Sequence, residues 1–153
     1  EGVALIYHDY LPHPHPIGED EHLPSHDPLW SFGHGLSYTD FEYRDLAVAD
    51  DALGPGESTT VSVTVANTGE RAGEEVVELY AGRECASVVT PVEELVGFAR
   101  TALEPGETTT VDVDLPSDAL TVVRPDGSAA FEAGTVTLRC ESLEASLSAV
   151  DGE

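Results

Sequence analysis

The sequence has no lysine and no methionine, a single tryptophan, two cysteines, and only 6 basic residues, all arginine, against 30 acids. Each scarcity excludes something. With a formal net charge of −24, the chain repels the phosphate backbone whose attraction dominates nucleic-acid affinity, so no nucleic-acid partner is expected. No run of 18 or more apolar residues occurs, so no membrane-spanning helix is expected, and no basic-then-apolar leader marks a signal peptide. The opening residue, Glu1 rather than Met, suggests a processed or internal beginning and leaves localisation open. Cys85 and Cys140 have no second thiol nearby in sequence, which gives no metal-ligand spacing. They read as two structural thiols, with a single disulfide as the alternative. Gly-rich phosphate loops, nucleophile elbows and CxxC pairs are absent, so no cofactor is expected.

What is present suits one compact module. A length of 153 residues with 41% hydrophobic content is enough for a single core. The acids are spread among β-periodic apolar runs rather than blocked, which argues against a disordered acidic tail. Self-repulsion among so many acids opposes compaction in dilute buffer, but at ~1 M salt the Debye length falls to about 3 Å and most of it is screened. An acidic, lysine-free surface is therefore read as adaptation to a high-salt environment.

Period-two alternation dominates from Phe41 onward. Val61, Val63 and Val65 alternate with Ser62 and Thr64, and Val111, Val113 and Leu115 with Asp112 and Asp114. Further strands are expected at 75–81, 94–101 and 135–140, with a hairpin at Asp126-Gly127 between 120–124 and 128–132. The segment Ala52-Leu53-x-Pro55-Gly56-Glu57 with Thr59-Thr60-Val61 recurs as Ala102-Leu103-x-Pro105-Gly106-Glu107 with Thr109-Thr110-Val111. Two neighbouring strands of one sheet entered through the same tight turn would explain it. The fold expected is all-β: an immunoglobulin or fibronectin type III-like β-sandwich of about seven strands, preceded by an irregular leader. The leader, 1–40, holds one short strand at 1–10 and a Pro- and His-rich loop at 11–28; the sandwich is placed at 41–145 and a tail at 146–153.

Three ordered blocks resemble the C-terminal region of family 3 glycoside hydrolases, the β-glucosidase and β-xylosidase type. They are Pro28-Leu-Trp-Ser-Phe-Gly-His-Gly-Leu-Ser-Tyr-Thr39, then Asn67-Thr-Gly-Glu-Arg-Ala-Gly-Glu-Glu-Val-Val-Glu-Leu-Tyr80, then Pro91-Val-Glu-Glu-Leu-Val-Gly-Phe-Ala-Arg100 followed by Leu103-x-Pro-Gly-Glu107. The resemblance implies that residues 1–40 end a preceding α/β domain and connect it to a fibronectin type III-like domain. Departures are mostly losses of base: Glu93 and Val96 stand where that family usually has Lys, and Thr90 where it usually has Arg. The family's nucleophilic Asp and acid/base Glu belong to its other domains, and neither motif can be matched here. Retaining hydrolysis needs two carboxyl groups about 5–5.5 Å apart flanking an open sugar site, so no catalytic residue is assigned. The implied function is a non-catalytic structural module, with the catalytic domains of a parent glycosidase as partner, in cis or in trans. The alternatives are a free-standing carbohydrate- or protein-binding sandwich and one chain of a split glycosidase.

Trp30, Phe32, Gly33, His34, Gly35 and Tyr38 form the candidate site, read as a packed connector between domains. Their aromatic faces would also suit a sugar-stacking platform, so a weak carbohydrate contact is the second reading. His8, His13, His15, His22, His26 and His34 invite zinc, but the prolines flanking His13 and His15 hold them extended, and a solvated loop without metal is expected. Tyr80 is expected in the sandwich core with its phenol hydrogen-bonded locally, and the arginines are expected to balance local acidity.

Overall fold

A computed structural model of the chain describes residues 35–152, of which those from 37 onward cluster as one compact unit. The expected strand at 1–10, the loop at 11–28 and the leader histidines lie outside the described residues. Ten strands follow in order: β1 (Phe41–Val48), β2 (Ala52–Leu53), β3 (Ser58–Asn67), β4 (Gly73–Arg83), β5 (Glu94–Leu103), β6 (Thr108–Pro116), β7 (Val122–Val123), β8 (Ala129–Ala130), β9 (Gly134–Cys140) and β10 (Leu143–Ala149). A 3-10 turn, Ser117–Leu120, separates β6 from β7.

Two sheets carry the architecture. One has the order β1-β3-β6 and the other β2-β10-β9-β4-β5; β7 and β8 make a small hairpin. Alternation dictates the burial. Val61, Val63 and Val65 of β3 and Val111, Val113 and Leu115 of β6 face Val77, Leu79, Val136, Leu138 and Leu147 of the other sheet in one buried cluster. Each such side chain contributes about 1.5–3 kcal/mol on burial. The cluster is therefore the main source of stability.

β3 and β6 pair antiparallel from Ser58↔Pro116 to Ala66↔Thr108, so the two copies of the internal repeat do enter neighbouring strands, at opposite ends. The turns match atom for atom. Gly56 and Gly106 take φ of 80° and 77°, and a glutamate closes each turn on the backbone: Glu57 Oε2 accepts from Gly54 N at 2.8 Å and Glu107 Oε2 from Glu104 N at 2.8 Å.

Three details differ from the expectation, and the cysteines follow the first of their two readings, free thiols. β10 continues to Ala149, with Leu147 and Ala149 buried, so the sandwich passes residue 145 and most of the supposed tail is a strand paired to β9 and β2. Its alternation of Leu and Ala with Glu and Ser is weak in hydrophobicity, which hid it. The hairpin at Asp126-Gly127 forms, but its strands are only two residues each, because Leu120 is drawn into the 3-10 turn and buried. Cys85 is exposed and Cys140 buried, and both are free, so no disulfide links them. Tyr80 does bond locally, to Glu78 Oε2 at 2.7 Å, yet it sits on the outer face opposite Arg139, because the alternation that buries Val77 and Leu79 turns Tyr80 outward.

Candidate functional site

The end of the proposed connector is fastened to the sandwich at one buried residue, Asn67. Asn67 ends β3 and is 1% exposed. Its Oδ1 accepts from Thr39 Oγ1 at 2.7 Å and from Gly69 N at 3.1 Å, while its Nδ2 donates to Arg71 O at 2.7 Å and Leu103 O at 3.0 Å. Its backbone N–H donates to Glu107 O and its carbonyl accepts from Gly106 N, both at 2.9 Å. The carboxamide is thus fully committed, as a buried polar group must be.

Glycines make room for this junction. A Cβ on Gly69 would collide with Thr39 Oγ1, and one on Gly73 would lie 2.7 Å from Thr39 Cγ2. The chain enters beside them, held further by Thr68 N donating to Asp40 O at 2.8 Å. All three blocks singled out in the sequence meet here: Thr39 from the first, Asn67 and Gly69 from the second, Leu103 and Gly106 from the third. Thr39 and Asn67 were not among the candidate site residues, although both lie inside the quoted blocks. Polar residues carry no hydrophobic period, so only their contacts reveal the role.

Of the candidate connector residues, Trp30, Phe32, Gly33 and His34 lie outside the described residues. Gly35 and Tyr38 are described, and both are exposed; Tyr38 is 92% exposed and its neighbour Leu36 94%. Tyr38 is therefore not part of the sandwich core.

Among the described residues, the Glu75 carboxyl is held above its ordinary value, whereas those of Glu42, Asp126 and Glu132 are held below theirs. Burial raises the Glu75 carboxyl, but this group faces the sandwich interior and accepts from Tyr43 Oη at 2.8 Å, bridging the two sheets. Burial and that same bond push the Tyr43 phenol upward, and the pair braces one sheet against the other. Among the described residues, no group of three or more His, Cys, Asp or Glu could hold a metal ion, and no helix is long and apolar enough to cross a membrane. A cleft of about 250 Å³ lies between the 88–91 segment and residues 119–123, walled by Val89, Pro91, Val96, Leu120 and Val123. Its cation, Arg83, is already engaged: Nη1 donates to Glu132 O at 2.8 Å and Nη2 to Leu120 O at 2.6 Å. Four of the other five arginines answer nearby acids: Arg44 with Glu42, Arg100 with Glu74, Arg124 with Glu132, and Arg139 with Glu93.

Residues 75–143 match the family model described as a fibronectin type III-like domain. A β-xylosidase of Formosa agariphila is 39% identical over 139 residues, covering 89% of this chain and 19% of the relative. The thermostable β-glucosidase B of Acetivibrio thermocellus is 45% identical over 93 residues, 61% of this chain and 12% of the relative. Among solved structures, a β-glucosidase from Erythrobacter marinus superposes with a TM-score of 0.76 at 36% identity, over 81% of this chain and 17% of that one. A Listeria innocua β-glucosidase in complex with gluconolactone does so with a TM-score of 0.75 at 29% identity, over 91% and 20%. The chain thus spans about a tenth to a fifth of the length of the relatives it matches.

Proposed function

The chain belongs to the C-terminal fibronectin type III-like region of family 3 glycoside hydrolases, and from that premise we propose that it serves a parent enzyme that removes terminal β-D-glucosyl or β-D-xylosyl residues. It is a non-catalytic structural module. In this reading Thr39 and Asn67 fix where the connector joins the sandwich, and the catalytic domains, in cis or in trans, cover part of its surface. The observation that supports it is the meeting of all three family-like blocks at one buried junction, where they stabilise an attachment point instead of surrounding a cavity. The charge of −24 and the absence of lysine support a parent enzyme working at high salt.

The test is to assay the 153-residue chain and the polypeptide of its complete reading frame on aryl β-glucosides and β-xylosides. The isolated chain should be inactive and the complete polypeptide active at molar salt. Hydrolysis by the isolated chain, or a complete reading frame without a catalytic region, overturns the proposal.

A further inference from the structure

The two outer faces of the sandwich are unlike each other. On the β1-β3-β6 sheet the outward positions are Glu42, Arg44, Thr60, Ser62, Thr64, Thr110, Asp112 and Asp114, an ordinary solvated face. On the other sheet, the outer side of β9 and β10 is polar too, with Thr137, Arg139, Glu144, Ser146 and Ser148. Apolar side chains come out at β4 and β5 instead. Of nine large hydrophobics exposed among the described residues, six (Val76, Val89, Val92, Leu95, Phe98 and Val123) lie on these strands, on the segment entering β5, or on the lip of the cleft beside it. Phe98 is 64% exposed and sits opposite Glu78, two pairs along from Val76↔Arg100 and on the same face.

β5 is also the edge of its sheet among the described residues. Edge strands of stable monomers are usually guarded by charge, proline or a bulge. This one carries a bulge where Val96 is skipped between Gly97 and Leu95, but the five residues between Glu94 and Arg100, Leu-Val-Gly-Phe-Ala, hold no charge. Two of the acids around it are ion-paired in place, Glu74 with Arg100 at 2.7 Å and Glu93 with Arg139, and Glu78 accepts from the Tyr80 hydroxyl at 2.7 Å. In a chain with 6 bases for 30 acids, two arginines spent beside one apolar strip leave that strip ready to lose its water.

We infer that the outer face and free edge of β5, centred on Leu95 and Phe98, form the surface against which the catalytic part of the parent glycosidase docks. This rests on the structural-module reading above and says which face of the module is used. A second copy of the chain is a poor occupant, because it brings a further formal charge of −24 against the first. The relatives, in contrast, carry four-fifths or more of their length outside the matched region, which supplies a large partner held at high local concentration.

Hydrogen exchange in the isolated chain and in the complete polypeptide tests the assignment, together with Phe98→Asp and, as the control on the opposite outer face, Thr110→Asp. In the complete polypeptide, amides of 94–100 should exchange at least tenfold more slowly than in the isolated chain. Phe98→Asp should shorten the thermal half-life of glycosidase activity severalfold while leaving the unfolding midpoint of the isolated chain unchanged, and Thr110→Asp should change neither. If the complete polypeptide hydrolyses β-glycosides but β5 exchanges as in the isolated chain, the docking face is wrong and the module reading stands. If the isolated chain protects β5 in a concentration-dependent way, a second copy is the occupant and the inference falls. If the complete polypeptide has no catalytic region, both readings fall.

Discussion

Thr39 Oγ1 donates a 2.7 Å hydrogen bond to Asn67 Oδ1 across 28 positions of sequence, in a site where both residues are buried. Losing the carboxamide also strands Arg71 O, Leu103 O and the Gly69 N–H. With about 1–3 kcal/mol for each buried group left unsatisfied, Asn67→Ala should cost roughly 3 kcal/mol or more, and Thr39→Val about 1–2 kcal/mol. Urea unfolding of the two single variants and the double variant measures both. A double variant no worse than Asn67→Ala alone is expected, since Thr39 acts through Asn67; strict additivity would contradict the junction.

Glu75 and Tyr43 give a pH signature. Burial raises the Glu75 carboxyl above its ordinary 4.5, so the folded state holds the proton more tightly than the unfolded chain does. The associated stability is complete below about pH 4.5 and is lost as pH rises through the raised value. Glu75→Gln keeps an acceptor for the Tyr43 hydroxyl and removes that loss. The variant should therefore show a flatter decline of unfolding free energy above pH 4.5 and be at least as stable at pH 7; a steeper decline would refute the sign.

The two thiols should differ sharply in reactivity. Burial pushes the Cys140 thiol up to about 11, and the thiolate is the reactive form. Cys85 is exposed. A thiol reagent at pH 8 should modify one cysteine within minutes and the second only on unfolding. Because the Cys140 pKa is raised in the folded state, its stabilisation should fade as pH climbs from 9 to about 11. Rapid modification of both thiols in the folded chain would argue against the burial of β9.

Salt should matter more here than for an ordinary module. Screening of a −24 charge should raise the thermal midpoint by about 10 °C or more between 0.1 and 2 M KCl, mostly before the Debye length falls below about 3 Å. Equal midpoints across that range would remove the case for salt adaptation.

The repeated turns allow an internal comparison. Gly56 and Gly106 hold φ of 80° and 77°, with open space where a Cβ would go, so alanine there is penalised by backbone conformation alone. Gly56→Ala and Gly106→Ala should each cost about 1–2 kcal/mol, and by similar amounts. A large cost at one and none at the other would show that the repeat in sequence is not a repeat in energy.

Much of the fold was legible because valine and leucine alternate plainly. Val61 to Val65 and Val111 to Leu115 announce β3 and β6, and the paired Pro-Gly-Glu turns announce that these strands are neighbours. β10 was not legible, since Leu147 and Ala149 separated by serines bury too little to stand out from a tail. The outer position of Tyr80 was legible after all, since alternation with the buried Val77 and Leu79 puts it on the opposite face; the bulge on β5, where Val96 is skipped, was not, because nothing in the local residues marks it. The connector blocks were legible as a resemblance, but the residue that joins them was not.

Composition and short-range pattern therefore determined by themselves that this chain is an acidic β-sandwich whose blocks resemble those of a glycosidase tail; charge, turn chemistry and period-two burial depend only on residues near one another along the chain. Only the tertiary structure decided that Asn67 is the junction, that Glu75 braces Tyr43, and that the apolar surface lies on β5. Each of these depends on which distant groups a side chain meets and whether water reaches it, and neither quantity is written in any local stretch of sequence.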